Sequence, residues 1–379
     1  MNRKDLFQSA KRYVVTRIAE ESETAERKLP TARELAGLAG CSYGTMRLVM
    51  AELEREGFVH QRQGSGTYLT EQAGKLAESF LTRKLLYFRP PHFGTPKNSY
   101  NEFLTASLEA EAYRRNWKVT TVIVSSHDEF LAAVSPIRGQ YDAVAYAPVS
   151  DLFTLDQIAA LRILKDKPFV LFDDYLNTSV YSVAIDNRRG GAMAASLLLS
   201  QNHRKIGLLF GEPGIRPCRE RAVGFSEMLE LAGIKPVVIN SGVGRDGDRY
   251  EFAYRIMEQE LRRGLDITAL FAVSDYSAWG ALDAIKAVGK RVPDDISLIS
   301  FDGLPFLDTL TPKLTAIRQP LPEIVDRAFS ILAGNVPADG YQIVLPPAFK
   351  PGESVRRLPE STAPASFRPL ASRIPEYSL

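Results

Sequence analysis

The chain is short of most of what would mark an enzyme, a secreted module or a membrane protein. Its 379 residues include two cysteines, Cys41 and Cys218, far apart and in neither metal nor redox spacing. That excludes a disulfide framework and fits a reducing compartment. The four histidines, His60, His92, His127 and His203, form neither HxH nor HxxxH pairs, so no metal site is expected. There is no G-x-S-x-G elbow. GALDAIKAVGKR has a lysine without the glycine-rich phosphate loop, and QGSGTY is too short for a dinucleotide fingerprint. Neither catalysis nor a cofactor is expected. No run reaches the roughly 18 apolar residues of a membrane span, and the N-terminus lacks the apolar centre of a signal peptide. The expectation is a cytoplasmic protein with no membrane partner. Charge of one sign is scarce too: 47 basic against 45 acidic residues leave a net +2.

What is present is an ordinary globular composition, 45% hydrophobic and 24% charged. The length suggests two or three domains. Residues 1–83 hold 13 basic and 11 acidic side chains and the remainder 34 of each, so the whole excess lies in the first fifth.

In that first fifth, Leu6, Phe7, Ala10, Val14 and Ile18 recur at helical spacing between Lys4 and Glu20. Pro30 and Thr31, with Glu34 three residues after the threonine, form a capping box at the start of a second helix that Gly40 ends. After a tight turn Ser42 is placed to cap a third, with Met46, Val49, Met50 and Leu53 on one buried stripe. Tyr43, Gly44, Thr45 and Arg47 are left near its exposed beginning. Two short helices with this connection form a helix-turn-helix, whose second helix can enter the DNA major groove. FVHQRQGSGTYL then reads as a hairpin, a wing with Arg62 and Gln63 at its tip.

The runs LPTARELA and CSYGTMRLVMAELEREGFVHQRQGSGTYL resemble the winged helix-turn-helix of GntR-type bacterial transcription regulators, with its L-P-[ST]-x-R-x-L-A, T-[VL]-R, L-x-x-[ED]-G and G-x-G-[TS] elements. The resemblance implies a DNA-binding domain over residues 1–70. It makes Arg33 and Arg47 phosphate and base-edge contacts, Thr45 a backbone contact, and Gly64 and Gly66 the wing tip. Ser42, Tyr43, Arg62 and Gln63 complete the expected DNA-binding set. Tyr43 stands where the family often has arginine, and Gly44 where it commonly has serine or threonine.

Residues 71–83 are polar and read as a passive, partly helical linker, in which Leu76, Ala77 and Leu81 could imitate a minor-groove hinge helix. From residue 84 to 350, nine apolar runs, from LLYF at 85–88 to SLISF at 297–301, alternate with helical stretches. That pattern means parallel sheets covered on both faces, and the number of strands calls for two doubly wound lobes in an α/β fold. Ligands of such sheets bind beyond the carboxyl ends of the strands, in a cleft. Carboxylates and arginines fall at those ends: Asp173 and Asp174, Asp186, the arginines 216, 219 and 221, Asp275 and Asp302. With the aromatics Phe88, Phe93, Tyr146, Tyr175 and Trp279, they suit a polyol. Asp186 is read as a helix cap.

VAIDNRRGGAMAASLLLSQNHRKIGLLFGEPG, RERAVGFSEMLELAGI, ALFAVSDYSAWGALDAIKAVGKRVPDDISLISFDGLPF and LTAIRQP resemble the effector domain of LacI-type repressors and the related periplasmic sugar-binding proteins. The resemblance implies Arg219, five before Gly224, as the arginine for ligand hydroxyls, Asp275 and Asp302 as acceptors, Asp173 beside them, and Gln319 at a crossover by the cleft. Ser274 replaces a common asparagine. The tail 351–379, with five prolines, is expected to be extended or disordered. Together the two resemblances imply a ligand-responsive regulator, a repressor of carbohydrate-utilisation genes. Its expected partners are operator DNA of pseudo-palindromic sequence, a second copy of the chain in a homodimer, and a monosaccharide-like effector. The alternative is a sugar-binding receptor without direct gene regulation.

Overall fold

The first eighty residues fold on the apolar stripes described above. Helices α1 (Arg3–Glu21), α2 (Ala32–Leu38) and α3 (Tyr43–Arg55) are followed by the hairpin β1 (Val59–Arg62) and β2 (Gly66–Leu69), then by α4 (Ala73–Leu81). The computed structural model describes residues 3–21, 27–91, 100–148, 152–173, 176, 179–211, 215–243, 247–335 and 340–360. It divides into two units, residues 1–84 with 116–118, and the remainder. In the first, Val14, Ile18, Leu35, Met46, Val49, Leu53, Phe58 and Leu69 share one core. Thr31 and Glu34 cap α2 reciprocally, with Thr31 N donating to Glu34 Oε2 at 2.8 Å and Glu34 N to Thr31 Oγ1 at 3.3 Å. Ser42 Oγ accepts from Thr45 N at 3.1 Å and so starts α3. The Lys11 ammonium is buried between α1 and α3, 2.7 Å from both Glu52 and Glu56.

The expected partly helical linker is helical over Ala73–Leu81 and is packed, not passive. Ala73 and Ala77 of α4 are buried in the same core, and Leu76, Phe80 and Leu81 pack against it. Phe80 meets Phe58 edge-on at 6.3 Å. The polar residues of TEQAGKLAESFLTR masked an apolar face at i, i+4 and i+7. Leu76, Ala77 and Leu81 are thus committed to the core of this unit.

The second unit has two lobes. The first is built from β3 (Arg83–Arg89), α5 (Tyr100–Arg114), β4 (Trp117–Ile123), α6 (His127–Ile137), β5 (Ala143–Tyr146), α7 (Leu155–Ala160), β6 (Phe169–Phe172) and β7 (Tyr181–Ile185). The second follows with α8 (Asn187–Ser200), β8 (Ile206–Phe210), α9 (Arg216–Leu231), β9 (Val237–Asn240), α10 (Arg249–Arg262), β10 (Ala269–Ala272), α11 (Asp275–Ala287), β11 (Ser297–Asp302) and β12 (Thr315–Arg318). The chain then returns through α12 (Leu321–Leu332) and β13 (Gln342–Leu345) to the first sheet, and crosses again to place β14 (Ala348–Lys350) in the second. Strand orders are β13-β7-β6-β5-β3-β4 and β14-β12-β11-β10-β8-β9. The lobes are therefore joined by three crossings, after β7, β12 and β13. Neighbours run parallel from β13 to β3 in the first sheet and from β12 to β9 in the second, while β14 pairs antiparallel with β12. β13 and β14, short and half exposed, went unread in the sequence.

Part of the proline-rich tail is fixed too. Ser354 is fully buried, donating to Leu298 O at 2.5 Å and accepting from Thr315 N at 2.8 Å. Leu358 N donates to Gln201 O at 2.9 Å. His203, also buried, bonds Thr268 Oγ1 at 3.0 Å and the Arg356 carbonyl at 3.1 Å. Polar positions on an extended strap satisfy the buried edge of the second lobe, a role that proline content does not reveal. Residues 361–379, with Arg368 and Arg373, lie outside the described residues.

Burial holds the His203 imidazole below its ordinary pKa of 6.5, although the Arg356 carbonyl opposes the shift. The unfolded chain therefore takes up a proton near pH 6.5 that the folded chain refuses. The stability associated with this neutral histidine is complete above pH 6.5 and falls as the pH drops below it. Urea midpoints measured from pH 7.5 down to about 5.5 should fall more steeply for the wild type than for His203→Gln. Parallel curves would show that His203 makes no such contribution.

Candidate nucleic-acid interface and ligand cleft

In the first unit the expected contact residues all lie on α2, α3 and the hairpin. Arg33, Ser42, Tyr43, Arg47, Arg62, Gln63, Gly64 and Gly66 are exposed, and Thr45 is half-buried with its hydroxyl 2.9 Å from that of Ser42. The structure brings Arg33 over the Tyr43 ring at 5.7 Å and Arg62 over the Tyr68 ring at 4.9 Å. Each guanidinium is steadied while its charge stays in water. Gly64 and Gly66, at φ of 74° and 121°, turn the wing where a side chain would be strained. The neighbouring acids have internal partners: Glu34 in its capping box, Glu52 and Glu56 on Lys11, and Glu54 accepting from Gln61 N at 2.9 Å. A balanced composition thus leaves arginines on the helix-turn-helix and wing.

In the second unit the strand ends hold a connected polar cluster. Arg221 on α9 is 4% exposed. Its guanidinium lies 2.9 Å from Asp302 Oδ1, donates to Asn187 Oδ1 at 2.9 Å and to Val273 O at 2.8 Å, and covers the Phe301 ring at 3.7 Å. Gln319 Nε2 donates to Asp302 Oδ1 at 2.8 Å, and Gln319 Oε1 is buried with no partner among the described residues. Asp302 itself sits at φ 111°, so the backbone is strained where β11 meets the cleft. Burial would lower the Arg221 guanidinium, but Asp302, Cys218, Asp173 and Tyr100 more than offset it. Burial and then Asp302 push the Asp275 carboxyl well above the usual range; its Oδ2 accepts from Leu304 N at 2.7 Å. The Tyr100 phenol is likewise raised, by burial and then by Asp173. Arg249, at the start of α10, is lowered by burial and opposed by Asp302. Tyr100 and Asp173 come from the first lobe and Arg221, Arg249, Asp275 and Asp302 from the second, so groups of both lobes act on one another across the strand ends.

This cluster includes Asp173, Asp275, Asp302 and Gln319 of the expected effector set and omits three others. Arg219 is exposed on α9. Cys218, Arg221, Phe225 and Leu229 are buried, and helical phase places the arginine two positions beyond Arg219 on that inner face. Phe88 and Tyr146 are fully buried in the core of the first lobe, where Phe130 stacks on Tyr146 at 4.0 Å and meets Phe88 at 4.9 Å. Alternation along β3 and β5 sends Leu86, Phe88, Val144 and Tyr146 to the same core, beneath the cleft and not into it. Tyr146 ends in a 3.0 Å bond to His127 Nδ1. Trp279 packs on Tyr250 at 4.9 Å and Phe306 at 5.6 Å. Phe93, Asp174 and Tyr175 lie outside the described residues. Asp186 caps α8, accepting from Arg189 N at 2.8 Å. Asn187, Tyr100 and Arg249 were not selected from the sequence as contacts; Arg221 stood among the three strand-end arginines, but the resemblance gave the ligand role to Arg219.

Among the described residues no group of three or more His, Cys, Asp and Glu could hold a metal ion, and no helix is long and apolar enough to cross a membrane.

The fold is that of a two-part protein: a winged helix-turn-helix followed by a two-lobed α/β unit of doubly wound parallel sheets. Residues 6–69 match the model of the bacterial regulatory proteins of the gntR family, and residues 195–355 match the periplasmic binding protein-like domain. The chain therefore carries a gntR-family domain followed by a periplasmic binding protein-like domain. It is 31% identical over 182 residues to the ribose operon repressor of Halalkalibacterium halodurans, covering 47% of this chain and 54% of that one. It is 34% identical over 181 residues to the transcriptional repressor PurR of Shigella sonnei, covering 47% and 52%. The chain thus spans about half the length of these curated relatives. Among solved structures, a LacI family transcriptional regulator from Enterococcus faecium with bound ribose superposes with a TM-score of 0.61 at 24% identity, covering 73% of this chain and all of that one. The lac repressor dimer bound to operator gives 0.60 at 21%, covering 74% and 98%. The likeness to these two structures is one of fold.

Proposed function

We propose that the protein is a ligand-controlled transcription regulator, a repressor of carbohydrate-utilisation genes that binds a pseudo-palindromic operator as a homodimer. The observation carrying this reading is the presence, in one chain, of an arginine-bearing helix-turn-helix and wing and of a buried Arg221–Asp302 pair by the strand ends of the second lobe. Each winged helix takes one half-site, so two-fold symmetry in the protein matches two-fold symmetry in the DNA. In the cleft, Arg221 donates to a ligand hydroxyl while Asp302 and Gln319 accept, a donor and acceptor set suited to a monosaccharide or a close derivative. Transcriptional repression by the ribose operon repressor and PurR, both similar to this chain, supports the regulatory reading over catalysis.

The effector controls DNA affinity only if it binds one arrangement of the lobes more tightly than the other. A thermal-shift screen with monosaccharides and their phosphates, followed by a gel shift with and without the stabilising compound, tests both halves. A hit that leaves operator affinity unchanged would refute ligand control. Arg47→Ala should weaken operator binding by about 1–3 kcal/mol and relax the preference at one base pair. Unchanged affinity and specificity in the gel shift would exclude that contact. Sedimentation at operator-binding concentrations should find a dimer; a monomer would overturn the symmetric arrangement.

A further inference from the structure

The outward face of α3 is not as polar as a solvated helix surface should be. With about 100° per residue, Leu48 lies about 150° from the middle of the stripe formed by Met46, Val49, Met50 and Leu53. It is therefore near the centre of the exposed face, and it is 56% exposed. Its neighbours on that face are Gly44 and Ala51, both exposed, with Arg47 beside them. A single exposed leucine is ordinary. A leucine flanked by two residues without bulk, on the helix that carries Arg47, is a low apolar strip with a charged edge.

Gly44 supplies an independent observation. Glycine weakens a helix relative to alanine, so a helical glycine calls for a reason. None lies inside the fold: a Cβ at Gly44 would have only Ser42 Oγ nearby, at 3.8 Å, and the residue has no positive φ. The lack of bulk is useful only on the outer side, where something approaches the helix closely. Charge complementarity says what that is. Arg33, Arg47 and Arg62 are exposed, whereas Glu34, Glu52, Glu54 and Glu56 have internal partners.

We propose that Leu48 is a specificity-determining residue that contacts the 5-methyl group of a thymine in each half-site, with Gly44 and Ala51 letting α3 approach the floor of the major groove. The proposal rests on the DNA-binding reading above. In the major groove the thymine methyl is the apolar mark that separates this base from the others, and aliphatic side chains recognise it by contact. Tyr43, held under Arg33, borders the same strip. The half-site should therefore contain a thymine recognised by its methyl group, at a position distinct from the one read by Arg47.

The operator sequence can be found within the same experiment. Full-length protein selects duplexes from a random pool, and each thymine of the selected sequence is then replaced by deoxyuridine, which removes only the methyl group. For the wild type, one such replacement per half-site should weaken binding roughly 3- to 5-fold, as expected for one buried methyl. Leu48→Ala, whose side chain supports nothing internal, should fold normally and bind thymine and uracil versions equally. Gly44→Ala should melt no lower than wild type yet bind both versions more weakly. Insensitivity to uracil at every position, or a penalty that persists in Leu48→Ala, overturns the assignment of Leu48 alone. Failure to select any duplex overturns the DNA-binding reading itself, and this inference with it.

Discussion

Arg221→Ala should destabilise the second unit by about 3–5 kcal/mol, the usual result of removing one member of a buried ion pair, and should abolish the ligand response. The substitution strands the Asp302 carboxylate, which is 8% exposed, and takes donors from Asn187 Oδ1 and Val273 O. It also uncovers the Phe301 ring. Urea unfolding reads the first effect and calorimetric titration with the compound found by thermal shift reads the second. The first unit has its own core, so its thermal transition should persist. Arg219→Ala removes an exposed side chain two residues away and should change neither stability nor ligand affinity. A stable, responsive Arg221→Ala protein would dissolve the cleft as drawn; a silent Arg219→Ala protein is the necessary companion result.

Gly191→Ala and Gly224→Ala should each cost about 3 kcal/mol or more, at the upper end for overpacking. A Cβ on Gly191 would stand 1.9 Å from the Arg221 carbonyl oxygen, and one on Gly224 would stand 1.9 Å from that of Arg188. The obstacles are backbone atoms of the facing helix, so no rotamer change relieves them. The two positions are reciprocal across the α8–α9 contact, and moving the helices apart for one relieves the other. The double variant should therefore be less destabilised than the sum of the singles. Gly37→Ala is the control: nothing lies within 4 Å of its added Cβ and its φ is ordinary, so the helix should gain about 0.5–1 kcal/mol. Equal denaturation midpoints for Gly191→Ala and wild type would refute the close approach.

The contrast between Arg221 and Arg219 also shows where a sequence stops being legible. Local rules carried the first unit well. The Thr31–Glu34 box, the Ser42 cap and the Met46 to Leu53 stripe each depend on residues within one or two helical turns, and each is found in place. In the second unit, strands and helices were visible because their apolar runs are continuous. The side of α9 that faces the cleft was set by contact with α8, through glycines whose meaning lies in a partner 30 or more residues away. Aromatic residues at strand ends suggested a ligand-stacking role, but the pleat assigns Phe88 and Tyr146 to the core. The burial of α4 and of the strap around Ser354 was hidden by polar composition, in α4 because polar residues interleave its apolar face and in the strap because it contributes polar groups to a surface made elsewhere.

The three crossings between the lobes also dictate the order in which the parts of a growing chain can finish folding. The core of the first unit is complete once Leu81 has been made, since all of its apolar side chains lie between Phe7 and Leu81. Neither lobe can close so early. The first waits for β13 at 342–345, and the second waits for β14 and for Ser354, which fills the gap between Leu298 and Thr315. On the ribosome the two lobes of the second unit must remain unfinished together and be completed within a few residues of each other. A nascent chain thus completes the core of its first unit roughly 270 residues before the second unit receives Ser354.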